Sequence, residues 1–293
     1  MNIVIEKILV CTDGSDHALQ ATILAAELCQ KFGCEIILFN VFFCPYAQAP
    51  DTGMWEIALG EAAIDKLCKE DLEHIKQDAL PVLEQAGVPY RIVQEIGHPV
   101  EEIIQASIRE KADMIILGSR GLSRWKALMM GSVTDGVIHQ ASCPALIVRG
   151  YPTLFRSILL AADGSDSSVH AAQLATGFAS KLDSSLTILN VTETHKRPPG
   201  VTERGQLLEE LSQQIMKRIE ETIIPIALKE DVHVSMRQIN GHPARTIAEF
   251  ADDNDNDLIV MGRRGRSPIK SLLLGSVSDR VSHLAHCSVM ISR

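Results

Sequence analysis

Aromatic residues are scarce in this sequence, at 4%. A core built from it must be aliphatic, which suits parallel strands covered on both faces by helices. No apolar run is long enough to span a membrane as a helix. The opening residues, Met1-Asn2-Ile3-Val4-Ile5-Glu6, show no basic stretch ahead of a long apolar segment, so no secretory signal is expected there. No Cys-x2-Cys pair occurs, and the seven cysteines are an odd number with five in the first 68 positions. Reduced thiols and a cytoplasmic location are expected, not a disulfide framework. Basic residues are in the minority: the net charge is −9, which argues against general nucleic-acid binding. The G-x4-G-K-(S/T) pattern is missing, which excludes a P-loop at the motif level. No group is evidently placed as general base toward an attacking water. No catalytic residue is assigned, and efficient catalysis is not expected.

What is present is a repeated glycine loop. Gly118-Ser119-Arg120-Gly121 is followed by Gly131-Ser132, and Gly262-Arg263-Arg264-Gly265 by Gly275-Ser276, each 144 positions on. Each copy starts at the end of an apolar run, Met114-Ile115-Ile116-Leu117 or Leu258-Ile259-Val260-Met261. Each ends where a helix can begin. Glycines admit close backbone approach, and the amides of a helix start attract anions. Arg120, Arg124 and Lys126 lie in the first loop and Arg263, Arg264, Arg266 and Lys270 in the second, with no acid in either. Wholly basic loops on an acidic chain point to a local anion.

The spacing predicts a first strand at Lys7–Cys11, then Thr12-Asp13-Gly14-Ser15-Asp16 as a turn with a helix cap. A helix follows to about Phe32, closed by Gly33, and a second strand at Glu35–Val41. Residues 42–60 carry Pro45, Pro50 and Gly53 and read as a long loop, with Met54-Trp55 able to fold over a ligand. A long helix presents Leu72, Ile75, Ala79, Val82 and Ala86 on one face, with Pro81 expected to kink or break it. A third strand at Pro89–Ile96, a helix from Gly97-His98-Pro99, a fourth strand ending at Leu117, a helix at about Ser132–Gln140 and a fifth strand at Ala145–Val148 complete the unit.

The pattern then restarts after Tyr151-Pro152-Thr153. Asp163 repeats Asp13 and Val191 repeats Val41 at an offset of 150. Pro225 repeats Pro81, and His242-Pro243 repeats His98-Pro99, at 144. The six missing residues belong to the irregular loop, here about Thr192–Gly205. Two α/β domains are expected, 1–150 and 151–293, each doubly wound with helices on both faces of a parallel sheet. Ligands in such sheets sit beyond the carboxyl ends of the strands where the order reverses, which would bring Asp13 to the Gly118 loop and Asp163 to the Gly262 loop.

At these residues the sequence resembles a tandem universal stress protein. Both copies meet the family's G-x2-G-x9-G-(S/T) motif, and the resemblance covers nearly the whole chain. It implies five-stranded sheets of order 3-2-1-4-5, a cytosolic stress-response role, and binding of ATP, with Mg²⁺ or Mn²⁺ as companion ion. Carried over by position, Asp13, Val41, Leu117, Gly118, Arg120, Gly121, Gly131, Ser132, Val133 and Thr134 would bind ATP in the first domain. Asp163, Val191, Met261, Gly262, Arg264, Gly265, Gly275, Ser276, Val277 and Ser278 would do so in the second. The resemblance also implies an internal pseudo-dimer, Leu146-Ile147-Val148 pairing with Val289-Met290-Ile291, with further homodimerisation open. Two alternatives stand beside nucleotide binding: slow adenine-nucleotide hydrolysis in the same pockets, and a scaffold or carrier with one domain holding an apolar ligand. The second half departs in its shorter loop and in Ser267-Pro268 within the glycine segment.

Several residues have plainer readings. Asp13 and Asp163 also suit a turn before a helix. His139-x3-Cys143 and His283-x3-Cys287 give half a zinc site each, and a last-turn histidine followed by a small buried cysteine explains them without a metal. His98 and His242 suit a turn before a helix start. Leu128-Met129-Met130 and Leu272-Leu273-Leu274 suit local packing under the loops.

Overall fold

A computed structural model describes residues 3–43, 61–120, 130–150, 154–193, 202–265 and 274–293. The expectations for 44–60, for Gly121, Arg124, Lys126 and Leu128-Met129, for Tyr151-Pro152-Thr153, for 194–201 and for Arg266 to Leu273 lie outside the described residues. The chain forms two compact units, Ile5–Tyr151, and Pro152–Arg293 together with Met1–Val4. In the second of these, the Ile3 side chain occupies the space where a Cβ at Gly177 would lie.

The first unit runs β1 (Lys7–Thr12), α1 (Asp16–Phe32), β2 (Glu35–Phe42), α2 (Glu61–Ala86), β3 (Tyr90–Ile96), α3 (Pro99–Arg109), β4 (Met114–Gly118), α4 (Ser132–Gln140) and β5 (Ala145–Val148). Its strands are parallel in the order β3-β2-β1-β4-β5, with Val10 opposite Leu38 on one side and Ile116 on the other. The second unit runs β6 (Ser157–Ala161), α5 (Asp166–Leu182), β7 (Ser185–Glu193), α6 (Thr202–Thr222), α7 (Ile224–Lys229), β8 (Val234–Gly241), α8 (Pro243–Asp253), β9 (Leu258–Gly262), α9 (Ser276–Leu284) and β10 (Ser288–Ser292). It repeats the order as β8-β7-β6-β9-β10, again parallel. The expected order 3-2-1-4-5 holds in each sheet.

The elements form for local reasons. β4 and β9 are buried along their whole length, as strands covered on both faces must be. The Ser15 hydroxyl accepts from the Ala18 amide at 3.3 Å and starts α1. Ala18, Ala21 and Ala25 are buried on one face of that helix, so its axis can approach the sheet closely. Gly33 ends it at φ 75°, and its amide bonds to the Cys29 carbonyl at 2.8 Å. In the second unit Asp183 closes α5 at φ 58°, a conformation that a short polar side chain tolerates. The Asp113 carboxylate accepts from the amides of Glu6 (2.7 Å) and Lys7 (2.9 Å), fixing β1 against β4, and Asp257 does the same for Arg156 and Ser157 at 2.8 and 3.0 Å.

Three expectations need correction. Cys29 and Cys34 form a disulfide, with Cα atoms 4.8 Å apart, so the thiols are not all reduced. The left-handed turn at Gly33 folds the chain back and brings the two cysteines within bridging distance. Second, α2 passes through Pro81 without interruption, whereas the second copy does break: α6 stops at Thr222 and Pro225 opens α7 in its first turn. Pro81 and Gln77, whose carbonyl it leaves without a helical donor, are both exposed, so water can reach that carbonyl. Third, the buried residues of α2 are Ile64, Cys68, Ile75, Ala79 and Leu83; of the expected face, Ile75 and Ala79 are buried, whereas Leu72, Val82 and Ala86 are half-buried.

Candidate functional site in the first domain

The strand order reverses between β1 and β4, and a cleft of about 390 Å³ opens beyond their carboxyl ends. Of the residues expected to bind ATP there, Asp13, Val41, Leu117, Gly118, Arg120, Gly131, Ser132, Val133 and Thr134 all line it. Gly121 lies outside the described residues.

Each is positioned by its element. Asp13 follows the last residue of β1, and its Oδ1 accepts from the Ser15 amide at 3.1 Å. The turn reading and the site reading of Asp13 therefore describe one conformation. Gly131 caps α4 at φ −67°, ψ 145° without a side-chain capping bond. Helix geometry leaves the first-turn amides, those of Ser132 to Thr134, without acceptors inside the helix. They form the positive end of the helix dipole on the cleft wall, with Arg120 on the same lining. The Thr134 hydroxyl, 4% exposed, donates to the Gly118 carbonyl at 2.8 Å and ties α4 to the end of β4. A Cβ at Gly118 would stand 2.7 Å from the carbonyl carbon and oxygen of His17. That glycine is required by packing of β4 on the first turn of α1, whatever the ligand.

The sequence reading missed much of the opposite wall: Asn40, Phe42, Phe43, Asp71, Pro99 and Ile103 also line the cleft. Asn40 is 2% exposed; it donates to the Thr12 carbonyl at 3.1 Å and accepts from Gln94 at 2.8 Å. Phe43 meets His98 edge-on, ring centres 6.0 Å apart. Burial pushes the Asp71 carboxyl above its ordinary range; an Asn40 hydrogen bond and His74 oppose the shift, and Asp13 adds to it. Aligning the two copies signals Asp71: at the offset relating Pro81 to Pro225, the second copy has Ile215.

In the second domain Asp163, Val191, Met261, Gly262, Arg264, Gly265, Gly275, Ser276, Val277 and Ser278 occupy the corresponding strand ends and helix start. The Ser278 hydroxyl donates to the Gly262 carbonyl at 2.7 Å, matching Thr134. The Asp163 Oδ1 accepts from both the amide (3.0 Å) and the hydroxyl (2.6 Å) of Ser165. A Cβ at Gly265 would lie 2.7 Å from Asp163 Oδ2, so the loop passes the carboxylate where only glycine fits without a shift. Ser167 Oγ accepts from the Arg264 amide at 3.2 Å and holds the loop there. Burial and neighbouring Arg264 lower the pKa of Arg263 from its usual value.

The histidines are placed as the plainer readings anticipated. His98 and His242 sit at the starts of α3 and α8, ahead of prolines, without a side-chain capping bond. His139 and His283 turn Nδ1 to the carbonyls of Asp135 and Asp279 at 2.8 Å within their own helices. Cys11 is buried on the cleft floor, and its thiol pKa is pushed far up by that burial.

Comparison with known proteins agrees with this architecture. The family model "Universal stress protein family" matches residues 5–149 and 154–293. Universal stress protein Slr1230 of Synechocystis is 26% identical over 304 residues, 98% of this chain and 100% of the relative. A universal stress protein of Thermus aquaticus is 34% identical over 145 residues, 49% of this chain and 98% of the relative. The crystal structure of a universal stress protein from Archaeoglobus fulgidus superposes with a TM-score of 0.69 at 24% identity, covering 98% of this chain and 96% of that one. With both halves matched by the family model and the sheet order repeated in each, the chain belongs to the universal stress protein family as a tandem of two such domains.

Proposed function

We propose that the first-domain cleft binds an adenine nucleotide, ATP in the first instance, and that the chain acts as a cytosolic nucleotide-responsive stress protein. One observation carries this reading: a single cleft joins a carboxylate, Asp13, to a helix N-terminus and an arginine, Ser132 and Arg120. The carboxylate suits the donor groups of a nucleoside, and the helix end with its cation suits phosphates. The volume of about 390 Å³ falls in the range of small-molecule sites. A Mg²⁺ or Mn²⁺ ion held by the phosphates would find a hard oxygen donor in the Ser132 hydroxyl at the helix start, which fits its preference. Such an ion would offset phosphate charge. This chain's own groups would orient the ligand and exclude water. The reading is of binding, without an assigned catalytic group. The domain limits 1–150 and 151–293 belong to the same proposal.

The test is calorimetry of purified protein with ATP, alongside mass spectrometry of small molecules released on denaturation. Gly131→Val is the informative variant, because φ −67°, ψ 145° is open to any residue while the new side chain starts from the cleft wall. Saturable ATP binding that falls at least about tenfold in the folded variant is expected. Absence of adenine nucleotide in the released material together with no calorimetric signal would sink the reading.

A further inference from the structure

We infer that Asp71 is a specificity-determining residue of the first-domain cleft: a second carboxylate which, with Asp13, selects a nucleoside that presents hydrogen-bond donors. The inference rests on the nucleotide reading above and names what the nucleoside end must offer.

The placement comes from the sheet order. Asp71, on α2, lines the cleft and accepts a hydrogen bond from Asn40 of β2. Asp13 follows β1, and Arg120 and the start of α4 follow β4. With β1 between β2 and β4, Asp71 stands on the opposite side of the cleft from the helix start. Neighbouring strands are about 4.8 Å apart, so the two walls are separated by about 10 Å. Phosphates belong at the helix start, and a carboxylate would repel them. The nucleoside then meets Asp71 and Asp13 together.

An architectural role does not account for the carboxyl. Ile215 stands at the matching position, packed near Gly164. Yet Asn190 still donates to the Ala162 carbonyl at 2.8 Å and Gln238 still donates to Asn190 at 3.2 Å, as Asn40 and Gln94 do in the first copy. The asparagine–glutamine pair thus forms above an aliphatic side chain, with Gln238 also donating to Ser212 at 2.8 Å and Thr192 at 3.3 Å. A carboxyl costs desolvation there that an isoleucine does not. The groups facing Asp71 are Asn40, Asp13 and, on its own helix, His74. Two carboxylates favour donors such as an exocyclic amino group or ribose hydroxyls, and disfavour a carbonyl at the same place.

The substitution is Asp71→Ile, which installs the residue of the second copy. Binding of ATP, inosine triphosphate (carbonyl for amino) and 2′-deoxy-ATP is measured on the full chain by calorimetry. The native protein is expected to prefer ATP by about tenfold or more over at least one analogue. Asp71→Ile is expected to bring that ratio within about threefold. The analogue that responds tells whether Asp71 meets the base or the sugar. An unchanged ratio in the folded variant overturns the inference, as does a native protein that binds all three ligands equally. A native protein that binds no ATP overturns the nucleotide reading itself and this inference with it. Asp71→Asn keeps the shape and carries the test if the isoleucine variant does not fold; its ratio must fall in the same direction.

Discussion

Gly118 has two reasons to be glycine, and they separate by experiment. Its position at the end of β4 lets a ligand approach the backbone, while a Cβ would press on the His17 carbonyl group at 2.7 Å. Backbone cannot step aside as a side chain does. Gly118→Ala should therefore destabilise the chain by about 1–3 kcal/mol in urea unfolding, with or without nucleotide. Gly97→Ala is the control. There the added methyl meets the Glu102 side chain, from Cγ to the carboxylate, which can rotate away, and the change should stay below about 1 kcal/mol. Asp71 adds a pH signature. Its native carboxyl pKa is raised by burial above 3.8, so the native state holds that proton more tightly than the unfolded chain. Its contribution to stability is then greatest below the unfolded value and declines as pH rises through the raised native one. Asp71→Asn should therefore gain stability relative to the native protein between acid and neutral pH, measured by urea unfolding across that range. A gap that does not change with pH would contradict the assignment.

Among the elements, the two helical prolines make the sharpest comparison. Pro81 lies inside α2, while Pro225 lies in the first turn of α7. An interior proline forfeits a helical hydrogen bond, and a first-turn proline forfeits none. Pro81→Ala should raise stability by about 1–3 kcal/mol, and Pro225→Ala should change it by less than about 1 kcal/mol, in paired thermal or urea melts. The sequence shows both prolines at matching positions and offers nothing to separate them. The difference depends on where each following chain finds a new buried face, which periodicity cannot read. The edge strand β3 shows the same limit. Arg91 on β3 bonds to Glu110 just past α3 and to Glu35 on β2 at 3.2 Å, a pairing across distant segments. The Arg91 hydrogen bond holds the Glu110 pKa below its ordinary 4.5. That stabilisation is present above the unfolded value and lost as pH falls through the lowered native one. With the Arg91 side chain 37% exposed, Glu110→Gln should cost about 1 kcal/mol or less near neutral pH, and the difference should close in acid.

At the scale of the molecule, duplication made the architecture legible and hid the differences between the two copies. Strand runs, glycine motifs and caps recur at offsets of 150 and 144, so the α/β order of both sheets could be read from the sequence. Matching motifs also led to matching sites being expected, although the walls differ. Where the first cleft has Phe42, Phe43 and Asp71, the second copy has Thr192, Glu193 and Ile215. Those residues lie outside the motif, on β2, just beyond it and on α2, and only the folded chain brings them to the ligand. In the second copy Asp163 accepts twice from Ser165 and lies beside Gly265, with the Arg264 amide bonded to Ser167. A nucleoside in the second site would meet Ile215 in place of the Asp71 carboxylate, and so lack the hydrogen bonds it would accept. Hydrogen bonds to a charged group are worth about 1.5–3 kcal/mol, so the second site should be weaker than the first by tenfold or more. Calorimetry should show one tight ATP per chain. Gly131→Val should remove it, and Asp163→Ala should leave it in place. Two equivalent sites, or a tight event that survives Gly131→Val and vanishes with Asp163→Ala, would reverse the order and place the working cleft in the second domain.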